Sequence, residues 1–181
     1  MIQIGAKAAT IDSPIEHLIA CHRRIEQRLD TLANAASHIA ANPTAALDAI
    51  RKSLTFLDTS GVLHTEDEEA SLFPRLRQKL SSAEIAFIDS LEAQHVEAGS
   101  IYSELKRLAL ALEVSGNPSP GLLGQYRECA EQLRSLYRRH IQSEDEILTA
   151  MARRSLDDSE VSAISREMRD RRARISEVSV V

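Results

Sequence analysis

Glycine and proline are scarce in this chain, six and five among 181 residues, so few positions are set aside for breaks or tight turns. Cysteine is scarcer: Cys21 and Cys129 stand far apart and form no C-x-x-C pair. A disulfide framework is therefore not expected, and a reducing cytoplasm is the default compartment. Nor is there a surplus of positive charge. The formal net charge of −5 gives no general reason to expect nucleic acid or an anionic membrane as partner. No apolar run approaches the ~20 residues of a membrane span. Met1 to Thr10 lacks the charged-then-apolar layout of a signal peptide. What remains is 43% apolar and rich in Ala, Leu, Glu, Arg and Ser, a composition that suits helices. The length allows one domain with a well-buried core.

Start and stop signals divide the chain into helices. Ser13-Pro14-Ile15-Glu16 reads as a capping box with proline at the first helical position. A first helix runs from there to about Ala41, where Asn42-Pro43 stops it and starts a second. That second helix is expected to reach about Leu72, with Pro74 threatening its end. Ser81-Ser82-Ala83-Glu84 opens a third, which fades near Glu113. Ser119-Pro120 caps a fourth, reaching roughly Arg153, and a fifth segment spans about Asp158 to Ser176. Nothing reads as a strand. The expectation is an all-α fold: an antiparallel up-down four-helix bundle over residues 1–154, with a helical extension at 155–181 packed outside or hanging loose.

Spacing by three and four identifies the inward faces. The first helix offers Ile15, Leu18, His22, Ile25, Leu29 and Leu32. On the second, Leu54, Leu57, Gly61, His64, Glu68 and Leu72 (or Ser71) share a face. The third aligns Ile88, Leu91, His95, Gly99, Tyr102, Leu105, Ala109 and Leu112. The fourth aligns Leu133, Leu136, His140, Glu144, Ile147 and Met151. Each helix thus places one histidine on a mostly apolar stripe.

Two of those stripes carry His-x-x-x-Glu, in His64 to Glu68 and His140 to Glu144, with Leu72 and Leu148 four residues beyond. Residues four apart stand one above the other on a helix, so imidazole and carboxylate can reach one centre together. With the second and fourth helices as diagonal neighbours the two pairs face each other, and His22 and His95 arrive from the other two. A lone histidine on an apolar face is ordinarily a core residue. Four at one level, with two inward glutamates whose burial would otherwise cost several kcal/mol each, point instead to metal. Two ions bridged by two carboxylates, with two imidazoles each, suit iron; zinc and manganese accept the same donors, whereas magnesium and calcium would not want four imidazoles. A ferritin-like site needs two Glu-x-x-His motifs. Glu92-Ala93-Gln94-His95 supplies one, and Glu92 lies off the stripe.

The same segments, Cys21-His22-Arg23-Arg24-Ile25, His64 through Glu68 with Leu72-Phe73-Pro74, Glu92 through His95, and His140 through Glu144, resemble the hemerythrin-like (HHE cation-binding) family over about residues 13–153. The resemblance implies a di-iron centre bridged by Glu68 and Glu144, completed by His22, His64, His95 and His140. Oxygen-carrying members place another histidine where this chain has Gly99, and their fourth-helix carboxylate falls where it has Asp145. The four-His, two-Glu set looks instead like the di-iron proteins linked to iron–sulfur-cluster repair and to nitric-oxide or oxidative stress. Those usually bear an N-terminal cysteine-bearing module, which these 181 residues do not include.

The expected function is a cytoplasmic di-iron protein that binds or reacts with O2, NO or H2O2 in stress response, sensing or scavenging. An iron- or redox-responsive regulatory module, or an oxygen or iron store, is the alternative. Gly61 and Gly99, beside the ligands, suggest either room for a small molecule or a close helix approach. His17 and His38 are set aside as surface or interface residues, and Cys21 as an inert packed thiol. Glu66, Asp67, Glu69, Asp145 and Glu146 are expected to form a solvated acidic face. The C-terminal arginines, with Glu167 and Asp170 among them, read as a solvated helix rather than a nucleic-acid patch; docking to a protein partner is the other option.

Overall fold

In the computed structural model, residues 11–178 are described, and their side chains through 174. Met1 to Thr10, where the absence of a signal peptide was expected, lies outside the described residues. The fold among them is all helical. Helix α1 (Pro14–Ala35) begins at its proline as expected, but Ser13 makes no side-chain cap, and Glu16 reaches Arg153 at 3.3 Å instead. Helix α2 spans 43–77, α3 is Ser82–Ser115, α4 spans 120–155 and α5 is Asp158–Val178. Asn42 and Ser119 cap as predicted, accepting the amides of Ala45 (3.1 Å) and Leu122 (3.2 Å). Ser81 donates its own amide to Glu84 at 2.9 Å. Gly116 ends α3 at φ 61°, a left-handed conformation that a Cβ would strain.

Two neighbouring pairs of helices run in opposite directions. Between α2 and α3, Arg51 meets Glu113 and the Tyr102 hydroxyl donates to Leu54 O, so numbers rise on one as they fall on the other. Glu16 with Arg153 and Asp30 with Arg134 give α1 and α4 the same relation.

Three turns depart from α-helical geometry. Leu57–Gly61 and Glu68–Leu72 in α2, and Glu144–Leu148 in α4, are π turns, in which Val62, Phe73 and Thr149 donate to the carbonyl five residues back. This explains two corrections. Pro74 does not end α2, which continues to Arg77. The wider turn immediately before it relieves the clash between the proline ring and the preceding turn that would break a regular helix. Ile147, expected inward, is 43% exposed, while Leu148 and Met151 are buried. One extra residue in the turn moves the inward position from 147 to 148.

The apolar interior is split in two. One cluster contains Ile25, Leu29, Leu57, Leu105, Tyr126 and Leu133; the other contains Leu18, Leu72, Leu91, Leu148, Ile164 and Met168. On each of α1–α4 the histidine lies between a residue of one cluster and a residue of the other. The polar layer is thus sandwiched between two dry ones. Helix α5 neither hangs loose nor is merely solvated: Ile164 and Met168 are fully buried within the second cluster.

Candidate metal centre

All six predicted residues meet in the layer between the two apolar clusters. His22, His64, Glu68 and Glu144 place one ligand atom each within 4.8 Å of one another, and His95, His140 and Glu144 do the same beside them. Glu144 belongs to both groups, with Oε2 3.1 Å from His22 Nε2 and Oε1 3.2 Å from His140 Nε2. Glu68 also faces both sides: Oε1 lies 3.3 Å from His64 and 3.7 Å from His22, and Oε2 lies 3.6 Å from His95. The two carboxylates are completely buried.

None of the four carboxylate oxygens has a hydrogen bond, nor does His22 Nε2; the contacts above lack the alignment for one. On the other side His95 Nε2 and His140 Nε2 face each other at 2.9 Å. Two lone pairs at that distance repel unless a proton or a cation lies between them. A buried layer of unpartnered carboxylates and converging imidazole lone pairs is costly by itself. A metal cation fits it: the four carboxylate oxygens and His22 Nε2 are donors that a cation would satisfy.

The outer nitrogens explain why the inner ones converge. His22 Nδ1 donates to Asp145 at 2.7 Å, His95 Nδ1 to Glu69 at 2.7 Å and His140 Nδ1 to Gln94 at 2.9 Å. Each acceptor fixes the tautomer that leaves Nε2 free to ligate, and aims the ring. These three residues were not picked out by spacing; Glu69 and Asp145 were expected in a solvated acidic face. The available signal was adjacency, since each directly neighbours an expected ligand. Asp67, placed in the same face, is fully buried and paired with Arg171 and Arg172. Glu66 and Glu146 are exposed, as expected.

Electrostatics of the metal-free layer follow from burial. Burial and the charge of Glu144 hold the Glu68 carboxyl well above the usual carboxylate range. For Glu144, burial pushes the same way but is outweighed by His140 and His22, which hold it low. Burial would lower His22, yet Glu144 and Glu68 raise it to about 9. His64 and His95 are pushed down by burial and by neighbouring imidazoles, and so are neutral, as ligands must be.

A cavity of about 230 Å³ reaches the layer at His95, walled in part by Gly61, Val62, Ala98, Gly99 and Tyr137. Gly99, expected inward, is exposed on this wall, and a Cβ there would meet nothing within 4 Å. A Cβ on Gly61 would make an ordinary 3.6 Å contact with Leu57. Neither glycine serves a close helix approach; both leave room. Tyr137 stands between cavity and site, its ring 6.0 Å from that of His140 and its hydroxyl pushed up to about 12 by burial and by Glu68 and Glu144.

The residues set aside behave as expected. His38 is exposed, Cys21 is buried with its thiol pushed up, and Glu92 pairs with Arg77 at 2.8 Å, away from the centre. His17 meets Arg172 of α5 at 3.2 Å.

Comparison with known proteins agrees with this geometry. The chain is 32% identical over 89 residues to a Haemophilus influenzae protein described as uncharacterized, a match covering 48% of this chain and about half, 51%, of that relative. The family model of the hemerythrin HHE cation-binding domain matches residues 13–152, from the start of α1 into the end of α4 and across all six converging side chains. The chain belongs to the hemerythrin HHE cation-binding domain family.

Proposed function

We propose that this chain is an antiparallel up-down four-helix bundle holding two iron ions, with His22 and His64 on one, His95 and His140 on the other, and Glu68 and Glu144 bridging. It binds or reacts with a small diatomic or peroxide molecule (O2, NO or H2O2), and serves in cytoplasmic stress response, sensing or scavenging. One observation carries the metal reading: four buried carboxylate oxygens without a hydrogen bond lie among converging imidazole nitrogens. When bound, the ions would supply open coordination positions and electrons for a small ligand. The residues hold those positions apart and dry, and the cavity at His95 offers the way in. Tyr137 forms part of that cavity's wall.

Metal analysis of protein purified without chelator is expected to give about two irons per chain. A folded, metal-free protein would refute the reading, and zinc or manganese in place of iron would redirect it. Stopped-flow spectra of the reduced protein with O2, NO and H2O2 then choose the chemistry. Rapid irreversible oxidation favours scavenging or sensing, and a stable reversible oxygenated form favours carriage. A regulatory role, without turnover, is supported by the docking of α5 beside the site.

A further inference from the structure

Asp67 stands one residue before Glu68 in sequence, yet faces away from the centre and is fully buried. Its partners come from α5, which lies outside the part of the chain that matches the family model. Arg171 donates Nη1 to Asp67 at 2.8 Å and Nη2 to Ser71 Oγ at 2.5 Å. One guanidinium therefore grips two residues four apart, Asp67 just before the π turn and Ser71 within it, with Glu68 between them. Arg172 donates to the other Asp67 oxygen at 2.7 Å. The Ser71 hydroxyl donates in turn to Glu167, which Arg75 holds at 2.7 and 3.0 Å. Arg171 is only 9% exposed. A π turn departs from the regular ladder of i to i−4 hydrogen bonds, and here side chains at both of its ends are held from outside the helix.

We infer that α5 is part of the metal-holding unit: Arg171 and Arg172, acting through Asp67, are positioning residues that fix the turn presenting Glu68. The inference rests on the metal reading above. Its consequence is reciprocal. If docking of α5 tightens metal binding, metal binding must tighten docking of α5 by the same factor.

The sign of one substitution separates positioning from charge. Removing a positive charge near a cation site strengthens metal binding if the effect is purely electrostatic. Arg171→Gln is expected to do the opposite, weakening Fe²⁺ or Zn²⁺ binding by roughly tenfold or more in competition with a chelator. In an Asp67→Asn background the same change should have a smaller effect, because only the contact with Ser71 is left for it to remove. Arg171→Lys, which keeps the charge but loses the two-pronged grip, should recover only part of the loss. Hydrogen exchange on the unmutated protein guards against a variant that fails to fold: amides of α5 are expected to exchange more slowly with Zn²⁺ or Fe²⁺ than without. Metal-independent exchange in α5, or unchanged or tighter metal binding by Arg171→Gln, overturns the clamp while leaving the centre intact. A wild-type chain that takes up neither ion overturns both.

Discussion

At the scale of the residue, Glu68 is held in a form it would not choose alone. Burial and Glu144 push its carboxyl well above the usual carboxylate range, favouring the protonated form, whose proton a cation would replace. Glu68→Gln removes the charge while keeping the shape. It is expected to reduce the metal content of purified protein from about two ions per chain to one or none, measured by elemental analysis. The same variant, compared with wild type in chelator at neutral pH, should unfold at equal or higher denaturant, because no carboxylate at position 68 has to be protonated or buried charged on folding. Full metal loading by Glu68→Gln would show that this carboxylate is not a ligand. His95 differs from Glu68 in being ready to ligate without losing a proton: burial pushes it down, and Glu69 holds its outer nitrogen.

At the scale of the element, the helices show which parts of this site can be read from a sequence. His22, His64, His95 and His140 were legible because each lies on a regular stretch of helix, and Glu68 and Glu144 because each is the first residue of its π turn, four after such a histidine, where the period of 3.6 residues still keeps one face inward. That period fails beyond those first residues, which is why Ile147 rather than Leu148 was expected inside and why Pro74 was expected to end α2. The partners of the outer nitrogens were illegible for another reason. Asp145 reaches His22 across 123 positions of sequence, and Arg171 reaches Asp67 across 104, pairings that only the packing of helices decides. Helix α3 offers a test of the cavity. Gly99 is mid-helix and exposed, with open space where its Cβ would be. Gly99→Ala should therefore stabilise the protein by about 1 kcal/mol, seen as a rise of roughly 2–4 °C in Tm. Gly99→Leu should add bulk at the cavity wall and slow the association of NO with the reduced, iron-loaded protein, followed by stopped flow. An unchanged rate would mean that small ligands enter elsewhere.

At the scale of the whole molecule, the polar layer makes the stability of the fold depend on pH in opposite senses with and without metal. In the metal-free protein the folded His22 titrates at about 9 against an ordinary 6.5. A group raised on folding contributes stability that is complete below its unfolded value and is lost as pH climbs through its folded value. His22 thus favours the metal-free fold below pH 6.5 and withdraws that support between 6.5 and about 9, on the order of 3 kcal/mol in all. Glu68, also raised, acts with the same sign from the carboxylate range upward. Glu144, held low, acts with the opposite sign, but below the ordinary carboxylate value of 4.5. Metal binding requires His22 and Glu68 to give up those protons, so metal affinity should rise over the interval in which the metal-free fold weakens. Chemical denaturation at pH 6.5 and at pH 9 is expected to show the chelated protein less stable at the higher pH and the metal-loaded protein gaining on it. Calorimetric titration with Zn²⁺ in buffers of different ionisation enthalpy should record net proton release near neutrality. Metal uptake without proton release would mean that Glu68 and His22 are already deprotonated before the metal arrives, and that some other donor in the layer satisfies them.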